Sequence, residues 1–306
     1  MTESTKACET GFCGIGKWAG TAEVYDGQGK FLSNAADQRH VRTAQNDGRV
    51  KIDLAFIGPL KFSGHYFIRE EEHKRFYEGP INVGLGEAFS PNLVVSEGYW
   101  AVTGLSQQFF LMIMPEKNVQ LSLSLMSRGQ ELIYSIVSEN HRVDADENQV
   151  PGLLSGTSYD LSEEANAGRA ESYIARDGSW VGTVTCLDEN LKLLEETPYQ
   201  ESVTIDHNVL ASHREGGLFG QKSDNSISLY QKPNQLFSGE GNVVGSASIM
   251  GGRACSGAFH YLRDGLRVWR REVVNHAGTN KALVEIWYQG TKRVGAQFAS
   301  LEYKKT

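Results

Sequence analysis

Two constellations of side chains carry whatever chemistry this sequence holds. The first is His65, Tyr66, Glu97, Tyr99 and Trp100. An imidazole and a carboxylate facing one apolar chamber form an acid/base pair, and such a pair can move a proton in an isomerisation or cyclisation. On this reading His65 and Glu97 are catalytic and Trp100 helps to bind the ligand. The second constellation is His260, Tyr261, Arg267, Trp269 and Arg271. Two guanidinium groups around an indole can hold a carboxylate, phosphate or enolate. His260 would then be its acid or base, and Tyr261, Arg267, Trp269 and Arg271 its ligand-binding groups. Both sets have a competing reading as charge-laced, solvated outer faces. Glu285 and Trp287 share a face on the expected neighbouring strand, where Glu285 would neutralise an arginine.

Other chemistries find little support. There is no HExxH, calcium loop, P-loop, dinucleotide fingerprint or G-x-S-x-G elbow. Cys8, Cys13, Cys186 and Cys255 lack metal-ligand spacing and read as thiols, with a disulfide between Cys8 and Cys13 as the alternative. Neither a metal nor a cofactor is expected, although haem held by one barrel histidine stays open. Glu70, Glu71, Glu72 and His73 read as a solvated turn.

The elements that must position these residues are strands. In VQLSLSLMS, Val119, Leu121, Leu123 and Leu125 alternate with Gln120, Ser122 and Ser124. In KFSGHYFIRE, Phe62, Tyr66 and Ile68 take one face and His65, Phe67 and Arg69 the other. FHYLRDGLRVWRRE reads as a hairpin turning at Arg263-Asp264-Gly265, and the last two strands turn near Gly290. Roughly eight to ten such strands per half predict an all-β protein of antiparallel barrels, in which closure removes unpaired edges. QFFLMIMPE is apolar on both faces, so its outer face must also be covered.

The strands occur twice. Gly16-Lys17-Trp18-Ala19-Gly20-Thr21 leads to Asp26, and Gly178-Ser179-Trp180-Val181-Gly182-Thr183 leads to Asp188. Gly, Trp, Gly, Thr and Asp coincide at a constant offset of 162, although Trp occurs only 5 times in the chain. Arg142 and Lys304, near the ends of the two units, keep the same offset. We therefore expect an N-terminal barrel at 12–145, a linker at 146–174 and a C-terminal barrel at 175–306. Asp160 and Glu163 read as a capping box for a short helix ending near Tyr173.

Gly16-Lys17-Trp18 and Gly178-Ser179-Trp180 resemble the Gly-x-Trp signature that opens the first strand of lipocalins and related calycins. The resemblance implies two tandem antiparallel lipocalin-like barrels. It also implies structural roles for Trp18 and Trp180, each closing a barrel end beneath a basic side chain from the last strand, Arg142 and Lys304 respectively. The family's second and third motifs are not recognisable. Two-barrel proteins of this kind include cyclases and isomerases of natural-product synthesis.

The bulk composition narrows the partners. The chain has 306 residues and a net charge of -7, with acids concentrated from Glu131 to Asp206 and bases from Arg253 to Lys305. That balance opposes a dedicated nucleic-acid partner. No apolar run is long enough for a membrane-spanning helix. The N-terminus MTESTKACETGFCG lacks an apolar signal core, which reads as cytoplasmic. Barrels of this size hold one small ligand. The leading expectation is a cofactor-independent isomerase, cyclase or lyase acting on a small hydrophobic or aromatic ligand. The alternatives are a non-catalytic carrier and an assembly protein whose barrels are filled with side chains.

Overall fold

Alternation at period two places every second side chain on one face of a strand, and closing the sheet turns one face into a lumen. The computed structural model describes residues 12–44, 48–143, 172–207, 209–218, 226–232, 235–238 and 241–305. The chain divides into two units, Met1–Asn166 and Ala167–Thr306. The expected helix at 160–173 and most of the expected linker lie outside the described residues.

The first unit contains ten strands: β1 (Gly16–Asp26), β2 (Phe31–Thr43), β3 (Val50–Ile57), β4 (Phe62–Glu71), β5 (Lys74–Glu78), β6 (Asn82–Ser90), β7 (Leu93–Trp100), β8 (Leu105–Met114), β9 (Val119–Arg128) and β10 (Glu131–Val143). Each pairs antiparallel with its sequence neighbour, and β10 closes on β1. The second unit repeats the plan with β11 (Gly178–Leu187), β12 (Leu193–Asp206), β13 (Val209–Glu215), β14 (Ser226–Lys232), β15 (Gln235–Ser238), β16 (Val243–Met250), β17 (Ala254–Tyr261), β18 (Leu266–Val274), β19 (Asn280–Gln289) and β20 (Lys292–Lys304). β20 closes on β11. Ten strands enclose a wider interior than eight, so each lumen needs large side chains or a guest to fill it. Among the described residues, no helix is long and apolar enough to cross a membrane.

Each barrel buries the tryptophan of its first strand. Trp18 is buried and donates its indole N–H to the Gly14 carbonyl at 2.8 Å. Its strand partner Arg142 lies over the ring at 4.6 Å and donates to the Ile15 carbonyl at 2.8 Å. The glycine of the signature has a physical reason. At Gly16, with φ 134, a Cβ would meet Arg142 Nη1 at 2.5 Å.

The second barrel departs from this arrangement. Trp180 pairs with Tyr303, not Lys304. The register of β20 against β11 is one residue off that of β10 against β1, and a slip of one turns a side chain to the other face. Lys304 therefore stands 62% exposed beside Glu302 and does not cover Trp180. Arg176 and Lys281 do so, with centroid distances of 5.4 and 4.9 Å. A Cβ at Gly178 would meet the Tyr303 ring at 2.5 Å, so this glycine makes room for a ring instead of a guanidinium. Ile174 and Ala175, just ahead of β11, pack in the same core.

Strand β9 alternates as expected, and Cys13 brings a further correction. On β9 the polar Ser124 lines the lumen, while Leu121 and Leu123 take the outer face and are fully buried there. Outward-facing Phe110 and Met112 on β8 are buried too. Cys13 is disulfide-bonded, against the expectation of a thiol. Cys186 and Cys255 are free and buried, and burial pushes the Cys186 thiol up to about 11.

Candidate functional site

Strand parity decides where each candidate points. On β4, Phe62 and Tyr66 face the first lumen, so His65 faces outward, edge-on to Phe67 with ring centroids 5.7 Å apart. On β7, Ser96 and Trp100 face inward, so Glu97 is outward and exposed. His65 and Glu97 thus form no luminal acid/base pair, and the strands carrying them are separated by β5 and β6.

The second constellation divides in the same way. Tyr261 faces inward against Trp287, with centroids 5.2 Å apart. His260 is exposed. Arg267, Trp269 and Arg271 do share a face, but it is the outer one. Arg267 is exposed over the Tyr288 ring at 4.7 Å, and Arg271 lies 3.9 Å from the centroid of Trp269. The luminal face of β18 carries Leu266, Val268, Arg270, Glu272 and Val274. The cluster expected in the lumen is one residue out of phase with it.

What fills the second lumen is a buried ion network. Arg270 donates to Glu201 at 2.7 and 2.9 Å, to Glu285 at 2.8 Å and to Glu272 at 3.0 and 3.1 Å. Lys281 reaches Glu201 at 2.7 Å and Glu272 at 3.0 Å. Arg214 donates to Glu285 at 3.1 Å, and Gln297 donates to the other Glu285 oxygen at 2.7 Å. Burial alone would push the Glu201 carboxyl up. Arg270, Lys281 and Arg214 outweigh it and hold the group well below the usual carboxylate range. Arg270 is held well above its usual value by the same pairing, against the opposing effect of burial. The remaining cavity is about 30 Å³.

The first lumen is different. Its wall carries a continuous row of rings: Tyr77, Tyr66, Trp100, Phe62 and Phe56. Successive centroids are 6.0, 6.1, 5.0 and 5.5 Å apart. Trp100 donates its indole N–H to Gln107 at 2.6 Å, and Gln107 donates to Ser124 at 2.9 Å, which locks the indole plane. Arg39 grips both oxygens of Asp37, at 3.0 and 2.5 Å. These groups surround a cavity of about 60 Å³. Inward-facing Leu54, Phe62, Gln107 and Phe109 are only half-buried, so this lumen opens to solvent.

Two polar atoms in this cavity close no hydrogen bond of normal geometry. Asn82 is 4% exposed and its Oδ1 accepts no hydrogen bond. The Tyr77 hydroxyl has Ser96 beside it but closes no hydrogen bond of normal geometry. Burial pushes both Tyr66 and Tyr77 up, so both stay protonated donors. Of this site, the sequence reading picked out Tyr66 and Trp100 and missed Asp37, Arg39, Tyr77, Asn82 and Gln107. One signal was available: Asn82, Gly84 and Gly86 alternate with the apolar Val83 and Leu85, which marks an inward face stripped of bulk beside aromatic strands.

No described His, Cys, Asp and Glu group has the makings of a metal site. Two ten-stranded antiparallel barrels, each opened by Gly-x-Trp, define a duplicated lipocalin-like fold of the calycin type. One solved structure agrees with this fold over nearly the whole chain, and others are similar at lower scores. A protein of unknown function from the DUF3598 family of Nostoc punctiforme PCC 73102 superposes with a TM-score of 0.57 at 12% identity, covering 95% of this chain and 96% of its own. An S-type phycobiliprotein lyase from Guillardia theta gives 0.34 at 10% identity, over 43% of this chain and 89% of that one. Transferrin binding protein B from serogroup B Neisseria meningitidis gives 0.28 at 6% identity, over 94% and 76%. No family model and no curated protein matches the sequence.

Proposed function

We propose that the protein binds a small planar ligand in the lumen of its first barrel, while the second barrel is a filled, structural partner. One observation carries this reading: the first lumen lines a solvent-reachable cavity with five rings and unpaired polar atoms, whereas the second is occupied by its own ion network. Ligand sites are typically apolar with a few placed polar groups, which is the composition found here. The cavity is small for a drug-sized molecule, so the guest is a single ring resting partly in the mouth near Phe62 and Phe109.

Holding the ligand fits better than transforming it. Among the described residues lining the cavity, Asp37 is the one carboxylate and no histidine is present. A general base needs an accessible lone pair, and Arg39 already occupies both Asp37 oxygens. The isomerase or cyclase reading would require that pair to open.

Equilibrium dialysis of the full chain against a mixture of single-ring aromatics tests the proposal. Retention of at least one compound is expected. Ser96→Trp, which fills the cavity, should abolish retention while near-UV circular dichroism shows the fold intact. Undiminished retention by the folded variant would place the site elsewhere.

A further inference from the structure

The first lumen also specifies the polarity of its guest, an inference that rests on the binding reading above. Arg39 is the one cation among the described residues lining the cavity, and Asp37 takes two of its N–H groups in a bidentate pair. An aromatic carboxylate entering there would lose its hydration and find a guanidinium already neutralised. Unpaired charge in such a setting is strongly disfavoured.

The unspent hydrogen-bonding capacity is neutral. Asn82 Oδ1 is an acceptor without a donor, and the Tyr77 hydroxyl is a donor without a well-formed acceptor. Both side chains are buried and both line the cavity. Their surroundings hold them in place. Asn82 pairs across the sheet with Trp100, and a Cβ at Gly98 would meet Asn82 Oδ1 at 2.7 Å. Only a glycine at 98 leaves that oxygen its position. A buried polar atom without a partner destabilises the free protein, so a guest that supplies the partner gains affinity that an apolar guest of equal shape does not.

We propose that the first barrel selects a neutral planar ring whose edge carries an N–H or O–H donor beside an acceptor, as in a cyclic amide or lactam. The donor goes to Asn82 Oδ1, the acceptor takes the Tyr77 O–H, and the ring lies along the Trp100–Phe62 wall. Anionic aromatic acids are rejected because the lumen has no uncommitted cation.

Fluorescence and calorimetric titration of the full chain with 2-pyridone, toluene and benzoate tests this. 2-Pyridone should bind at least about tenfold more tightly than toluene, as one to two added buried hydrogen bonds imply, and benzoate should bind most weakly. Asn82→Leu should erase the preference for 2-pyridone over toluene. Tyr77→Phe, a smaller change in a residue that keeps its ring, should reduce the preference by about threefold. If toluene binds but 2-pyridone gains nothing over it, the two polar atoms serve bound water and the inference fails while the binding reading stands. Tightest binding by benzoate overturns it as well. If no probe binds, the binding reading itself falls, and this inference with it.

Discussion

In the second barrel three carboxylates, Glu201, Glu272 and Glu285, meet three cations, Arg214, Arg270 and Lys281, inside the wall. In the first, a single Asp37–Arg39 pair sits beside a row of rings and an open mouth. Both lumens are enclosed by ten strands, so both face the same packing problem. The second solves it internally, with charges that compensate one another. The first leaves volume and polar capacity unused. The difference between the two units lies in what their inward positions carry.

The largest separation between the two is expected from removing each lumen's central arginine. Arg270→Met leaves three buried carboxylates, Glu201, Glu272 and Glu285, with only Lys281 and Arg214 to compensate them and should cost about 3–5 kcal/mol. Arg39→Met unpairs a single buried carboxylate, Asp37, in place of three and should cost about 1–3 kcal/mol. Denaturant unfolding measures both. Equal costs would mean that the second network is less enclosed than its geometry indicates.

Acid should separate the units next. Glu201 and Glu272 are pushed up by burial but held low in the folded state by Arg270 and Lys281. A carboxylate with a lowered folded pKa adds stability that is fully present above its unfolded value, about 4.3 for Glu, and lost as pH falls below it. In the first unit the lowered carboxylates include Glu78, held by Arg69, and Asp53, which burial pushes up but the hydrogen bonds and charges of Lys51 and Arg42 together bring down. Those two are surface groups, screened by water and salt. Amide-exchange protection in β18 and β19 should therefore fall as the pH drops below about 4.3, before protection in β4 and β7 does. The reverse order would break the comparison.

The two barrel ends give a smaller contrast. Arg142→Ala removes a cation from the Trp18 face together with its bonds to the backbone, and should cost about 1–2 kcal/mol. Lys304→Ala should change stability by less than about 0.5 kcal/mol, because that side chain is at the surface. Arg176→Ala, by contrast, should be felt at Trp180 as a shift in its fluorescence.

The repeat, the strand content and the Gly-x-Trp ends were legible in the sequence because they are local or recur at a fixed offset. The inward face of β4 was legible for the same reason, since Phe62, Tyr66 and Ile68 alternate cleanly. β18 was not, because both of its faces mix apolar and charged residues. Placing Arg270 inside requires knowing that Glu201 on β12 and Glu285 on β19 lie within reach, which only register reveals. Lys304 failed as a cap through a register difference of one residue, a quantity that equal sequence offsets do not report. On β9 the alternation was legible but not which face is luminal, because its outward leucines are buried as well. Asn82 and Tyr77 went unnoticed because a lone amide and a phenol gain meaning only as unpaired atoms.

The most direct test of the account is a crystal structure of the full chain soaked with 2-pyridone. It should show a ring in the first lumen against Trp100, with its N–H within hydrogen-bond distance of Asn82 Oδ1, and the Glu201–Arg270–Glu285 network of the second barrel undisturbed. A ring seated among those ionic groups instead, with the first lumen empty, would contradict it.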